Sequence, residues 1–133
     1  MTKGPVPVAT PESQPFWDGT AAGELRLPKC ANGHVFFYPR TYCPTCSSSD
    51  ISWITASGKG VLSSYVINSR PLPMFESDEP QVIALITLEE GPRMMSNIVG
   101  VEPAPENLPL DAPVSVSFVD RGDKKLPVFT LDK

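Results

Sequence analysis

All three cysteines of the chain and its single histidine fall within CANGHVFFYPRTYCPTC, Cys30 to Cys46. Thiols and an imidazole at this density point first to a metal. A tetrahedral zinc site draws its ligands from two short-range pairs, each a tight knuckle, with the knuckles facing each other. Cys43-Pro44-Thr45-Cys46 has the spacing of one knuckle, because two intervening residues let both sulfurs point at one centre. A matching Cys-x-x-Cys upstream would need a cysteine at position 33, where the chain has Gly33; the next residue is His34. The pairs on offer are Cys30-x-x-x-His34 and Cys43-x-x-Cys46. Three thiolates and one imidazole form an ordinary structural zinc set. The one-residue offset is physically reasonable: the imidazole reaches further than a thiol, and Gly33 can take the positive φ that such a turn requires.

Competing readings of the cluster are weaker. Without a metal, Cys30 would be a small buried apolar residue and His34 a surface one. A redox pair at CPTC would need a helix starting at Cys43 to lower the thiol pKa, and the SSSD that follows does not continue one. Catalytic zinc is disfavoured because four protein ligands leave no position open to water. Little else in the chain carries chemistry. With His34 committed, no histidine remains for acid–base work. There is no Ser/His/Asp set, Gly-rich phosphate loop or carboxylate metal motif. Glu76, Asp78 and Glu79 lie in a polar stretch, Glu89 and Glu90 precede a Gly-Pro turn, and all read as solvated charges.

The elements that must position this cluster are short. Sixteen prolines in 133 residues are about double the usual share. They are spread along the chain, and each stops a helix or ends a strand, so the fold is expected to be mostly β. Residues 1–24 read as a Pro-rich leader (Met1 to Ala9) followed by a short helix capped by Ser13 and limited by Gly19 and Gly23. That helix carries Phe16 and Trp17, which local contacts alone cannot bury; they pack on the rest of the domain or on another protein. Residues 25–56 form the ribbon, with strands expected at Leu25–Pro28, Val35–Tyr38 and Ile51–Thr55. Residues 57–133 carry five strand patterns: Val61–Asn68, Gln81–Leu88, Arg93–Gly100, Val114–Phe118 and Leu126–Leu131. Long loops are expected over Arg70–Pro80 and Val101–Pro113. Five short strands with no helical period after residue 24 suggest a small barrel or sandwich, and a five-stranded OB-type barrel fits the count and the length.

The net charge of −4 and isoelectric point near 4.9 weigh against polymer binding through a phosphate backbone. Arg26, Lys29 and Arg40 bracket the ribbon and could form a small basic rim suited to a diphosphate, against the plainer reading of solvated charges. No apolar run reaches membrane-spanning length. The opening MTKGPVPVATPESQ has no apolar h-region, so it does not read as a secretory signal; with the odd cysteine count this favours a reducing cytoplasm.

PFWDGTAAGELRLPKC, FYPRTYCPTC, SGKGVLSSYVI, VIALITLEEGPRMMSNIVG and LPVF, in that order, resemble one family along nearly the whole chain. It is the bacterial and archaeal family that joins a rubredoxin-like zinc ribbon to an OB-fold. Its members are acyl-CoA-associated accessory proteins, partnered with thiolase-like or lipid-transfer-protein-like enzymes. The family's usual ribbon has two Cys-x-x-Cys knuckles, so the resemblance carries over Cys30, Cys43 and Cys46 as ligands and meets Gly33 at the fourth position. It implies a non-catalytic subunit with structural zinc, in a hetero-oligomer whose partner makes or cleaves carbon–carbon bonds beside an acyl-CoA thioester. Phe16, Trp17, Leu25 and Leu27 are then expected at the partner interface, and Tyr38, Arg40 and Lys29 near CoA. A free-standing acyl-CoA-binding module is the alternative, and a single-stranded nucleic-acid-binding OB protein a more distant one.

Overall fold

The computed structural model describes residues 5–70 and 79–132. The expected loop core at 71–78, including Glu76 and Asp78, and the first four leader residues lie outside the described residues. Among the described residues one α-helix, α1 (Gln14–Ala21), precedes seven strands: β1 (Arg26–Cys30), β2 (Ile51–Thr55), β3 (Lys59–Asn68), β4 (Gln81–Leu88), β5 (Arg93–Asn97), β6 (Pro113–Arg121) and β7 (Lys124–Leu131). The chain is mostly β, as its proline distribution requires.

Helix α1 is short for local reasons. Ser13 stands at its N-cap position, but no helix N–H reaches its hydroxyl; that oxygen accepts the Thr10 N–H at 2.9 Å instead. At the other end Gly23 takes φ +78°, and the Glu24 N–H bonds back to the Gly19 carbonyl at 2.8 Å, closing the helix with a left-handed residue.

β1 and β2 form an antiparallel pair in which Leu27 faces Ile54 and Cys30 faces Ile51. The ribbon loops occupy the residues between these strands. The expected strand at Val35–Tyr38 does not form; that segment makes a single bridge, Val35 with Lys29. The turn at Gly33 folds it back along β1, with Cys30 N–H on the His34 carbonyl at 3.0 Å and Phe36 N–H on the Pro28 carbonyl at 3.1 Å. Pro39 then follows without a donor to continue any ladder.

The other five strands make one antiparallel sheet in the order β5-β4-β3-β6-β7. Its two outer strands meet through a parallel bridge between Ile98 and Phe129, with Val99 N–H on the Phe129 carbonyl at 3.0 Å. The sheet is thus a nearly closed five-stranded barrel of the OB type. β4 alternates cleanly, sending Val82, Ala84, Ile86 and Leu88 inward. β3 does not alternate, because a bulge between Leu62 and Ser64 changes its phase: Leu62 faces in before it, Tyr65 and Ile67 after it. The link from β5 to β6 runs through a 3-10 turn (Pro105–Asn107) and carries the buried Leu108 into the core.

Ribbon and barrel share this core. Leu27 of β1, Leu25 just before it and Phe16 of α1 belong to the same buried cluster as Leu62, Ile86, Val114 and Phe129. A second, smaller cluster of Cys30, Phe36 and Cys43, with Ile51 against it, lies within the ribbon.

Candidate metal centre and the adjoining groove

Two turns build the metal centre. In the first, Cys30 ends β1, the Gly33 N–H bonds the Cys30 carbonyl at 3.0 Å, and Gly33 itself takes φ +88°. A side chain at this φ is strained, which is why glycine stands where the turn must bring His34 round. In the second, the Cys43 N–H bonds the Ser48 carbonyl and the Ser47 N–H bonds the Cys43 carbonyl, both at 2.8 Å. The Thr45 N–H points at the Cys43 sulfur at 3.4 Å, so the knuckle already directs a donor onto its first thiolate.

These turns bring Cys30, His34, Cys43 and Cys46 together, with one ligand atom from each lying within 4.8 Å of all the others. Cys30 Sγ is 3.7 Å from Cys46 Sγ, and His34 Nδ1 is 3.3 Å from Cys30 Sγ and 3.7 Å from Cys43 Sγ. Zinc bonded to sulfur at about 2.3 Å and nitrogen at about 2.0–2.1 Å has tetrahedral edges of about 3.8 Å between sulfurs and about 3.5 Å between sulfur and nitrogen. The donor set therefore fits a tetrahedral zinc ion, with His34 presenting Nδ1. Bound there, zinc would tie the two turns together. With four protein donors it would keep no site for water, so the centre is structural.

The electrostatics of the cluster are uneven. The Cys46 thiol is lowered to about 6, chiefly because the Asn32 side-chain amide donates to it, then through a backbone N–H at Ser48, against the opposing effect of desolvation. Asn32 Nδ2 lies 3.3 Å from Cys46 Sγ. Cys30 is shifted the other way, upward, because burial penalises its thiolate. Asn32 has no ligand-type signature and no motif marks it; only the fold of the turn aims its amide at a sulfur sixteen residues from Cys30.

Beside the ribbon lies a groove of about 410 Å³ whose walls come from four parts of the chain. Phe16 and Trp17 of α1, Phe37, Tyr38 and Pro39 of the ribbon, Met94 to Asn97 of β5 and Leu126 to Val128 of β7 line it. The aromatic rings run in contact, with centroids 4.8 Å apart for Phe16 and Trp17, 5.4 Å for Phe16 and Phe37, and 4.5 Å for Phe37 and Tyr38.

The residues expected at a partner interface separate here. Leu25 and Leu27 are 2% and 0% exposed and so have no surface to offer a partner; this corrects that expectation. Both leucines pack into the barrel core, while Arg26 and Lys29 of β1 stay part-exposed. Phe16 is also buried, at 5%, although it lines the groove. Trp17 is half-buried and open to the groove. Among the residues expected near CoA, Tyr38 stands in the groove, exposed, while Lys29 and Arg40 do not line it. The basic rim is smaller than the sequence suggests: Arg26 is held by Glu24 at 2.9 Å, and the helix passes so close at Gly19 that a Cβ there would meet the Arg26 side chain at 2.7 Å. Glu90 is more than a turn charge, since its Oε2 accepts the Ser57 N–H at 2.8 Å and fastens the β4–β5 turn to the ribbon–barrel link.

No helix among the described residues is long and apolar enough to cross a membrane.

Known proteins agree with this architecture. The family profile described as "ChsH2, rubredoxin-like zinc ribbon domain" matches residues 17–52, and that described as "ChsH2, C-terminal OB-fold domain" matches residues 53–119. A DUF35 domain-containing scaffold protein of Pyrococcus furiosus is 41% identical over 75 residues, covering 56% of this chain and 55% of its own length. The 3-oxo-4,17-pregnadiene-20-carboxyl-CoA hydratase alpha subunit of Mycobacterium tuberculosis is 33% identical over 118 residues, covering 89% of this chain but 37% of its own. The chain therefore spans between about a third and somewhat over half the length of these curated relatives. A chain from a solved structure described as "Ltp2-ChsH2(DUF35) aldolase" superposes with a TM-score of 0.81 at 29% identity, over 95% of this chain and 98% of that one.

Proposed function

This chain belongs to the ChsH2 family of zinc-ribbon and OB-fold proteins, and from that premise we propose that it is a non-catalytic accessory subunit of a thiolase-superfamily, lipid-transfer-protein-like enzyme acting on an acyl-CoA. The observation that carries the reading is the whole-chain likeness to the ChsH2(DUF35) component named with Ltp2 in an aldolase. The chemistry of the chain supports it. Its one histidine and three cysteines are gathered in a single metal-type cluster, which leaves neither an imidazole nor a thiol for acid–base or nucleophilic work. The bond-making residues are then the partner's, and the reaction is a thiolysis, condensation or retro-aldol cleavage next to the thioester. This chain stabilises the partner and helps shape its acyl-CoA site, with Trp17 and Tyr38 at the groove as the contact residues. It acts in the cytoplasm.

A second reading has one specific observation in its favour. The mycobacterial relative is named as a subunit of a CoA-ester hydratase, so the partner would hydrate a double bond rather than cleave a carbon–carbon bond. Both readings meet the same experiment. The chain is tagged and purified from its native host, zinc is assayed on the eluate, and the co-purified protein is identified and given acyl-CoA substrates. A stoichiometric thiolase-like partner that forms or breaks a carbon–carbon bond is the expected result; a hydratase subunit supports the second reading. Recovery of the chain alone, with acyl-CoA present, overturns both and leaves a free-standing binding module, which titration of the isolated chain with acetyl-CoA would then detect.

A further inference from the structure

The barrel has one seam, between β5 and β7, and its chemistry is unusual. The parallel pairing of Ile98 with Phe129 places Ser96 beside Pro127 two residues earlier. Continued pairing there would call on the N–H of residue 127, and proline has none. The ladder stops, and the seam opens into the groove. Side chains finish what the backbone does not: Ser96 Oγ donates to the Pro127 carbonyl at 2.9 Å, and the Met95 N–H, at the exposed edge of β5, donates to the Tyr38 hydroxyl at 3.0 Å. Tyr38 comes from the ribbon, 57 residues away.

The segment that carries Tyr38 is bounded at both ends by metal-type donors, His34 before it and Cys43 after it. Between them Phe36 is buried against Cys30 and Cys43, and Phe37 rests on Phe16. Apart from these rings, the segment's backbone bonds sit at its two ends: Cys30 N–H to the His34 carbonyl and Phe36 N–H to the Pro28 carbonyl at one, Cys43 N–H to the Ser48 carbonyl and Ser47 N–H to the Cys43 carbonyl at the other. We infer that Tyr38 is a metal-held plug in the barrel seam: zinc on Cys30, His34, Cys43 and Cys46 fixes the 34–43 loop so that the Tyr38 hydroxyl caps the open edge of β5. The centre thereby does more than fold the ribbon. It closes a sheet edge that would otherwise offer an unpaired N–H beside an apolar groove, the arrangement that invites pairing with another chain.

The test follows single amides of the full chain by NMR-detected hydrogen exchange. Met95 reports the plug. Leu62, whose N–H bonds the Ala112 carbonyl at 2.9 Å inside the barrel, reports the integrity of the barrel. In the zinc-loaded chain, Tyr38→Phe should raise exchange at Met95 by about tenfold, the scale of one hydrogen bond, with Leu62 and zinc content unchanged. Removing zinc from the unsubstituted chain with a chelator should raise Met95 exchange at least as much with Leu62 still protected, and should add nothing further at Met95 in Tyr38→Phe. Met95 protection that survives either perturbation overturns the proposal. So does joint loss of protection at Met95 and Leu62 on chelation, because the metal would then hold the whole fold rather than the seam.

Discussion

Truncating Leu27 to alanine tests whether β1 of the ribbon belongs to the barrel core or to an outer surface. The side chain is 0% exposed and lies in the cluster that contains Leu62, Ile86 and Phe129. Leu27→Ala removes three carbon groups, worth about 2.4 kcal/mol of transfer at roughly 0.8 kcal/mol each. The cavity left between two sheets relaxes only in part and adds to this, for a total of about 3–4 kcal/mol, inside the range of roughly 2–5 measured for buried leucines. In a urea titration with a slope of about 1.5–2 kcal/mol/M the midpoint falls by about 2 M, with the slope unchanged. Zinc bound per folded chain stays the same, since Leu27 belongs to the barrel cluster and not to the small ribbon cluster that holds Cys30 and Cys43. A cost below about 1 kcal/mol at normal slope would refute the reasoning, and would return Leu27 to the partner-facing role that the sequence suggested.

Two further predictions concern the metal centre. His34→Ala removes the Nδ1 donor, so zinc per chain should fall on elemental analysis and exchange protection over residues 25–55 should drop; full zinc at unchanged stability would take His34 out of the site. Asn32→Ala leaves all four donors but deletes the amide that steadies the Cys46 thiolate. Loss of such an outer partner costs about tenfold or more in metal affinity. Competition with a chromogenic chelator measures it, and an unchanged affinity would show that the Asn32 contact does not act on the ligand.

How far the sequence reads correctly depends on the range over which each feature is decided. The metal centre was legible because its determinants are local. Cys43 and Cys46 sit on one turn, and Cys30 reaches His34 around the left-handed Gly33, so spacing and residue type already imply the donor set. The strands of the barrel were legible for the same reason: β-branched runs such as QVIALITL are consistent with one pleated face in the core. Their ends were less so. β6 begins at Pro113 and runs to Arg121, and β7 begins at Lys124, beyond the apolar residues that mark them, because each continues for as long as the other supplies backbone partners. The strand expected at Val35–Tyr38 shrinks to one bridge on the β1 edge, because pairing that starts at Val35 meets Pro39, which has no N–H to carry a ladder on.

The amino-acid sequence alone determined a mostly β chain, a Cys3His donor set that takes in its one histidine and three cysteines, and the order of ribbon before barrel. The tertiary structure alone decided what each apolar face meets. Alternation in Leu25-Arg26-Leu27 announces one buried face, but whether it closes on this chain's barrel or on another protein depends on contacts with residues thirty to a hundred positions away. The same holds for Tyr38, whose hydroxyl accepts the Met95 N–H from a strand 57 residues further along the chain. A hydrogen bond or a packing contact is a relation between two places in space, and one-dimensional spacing specifies such a relation only while the chain between them is short enough to have few conformations.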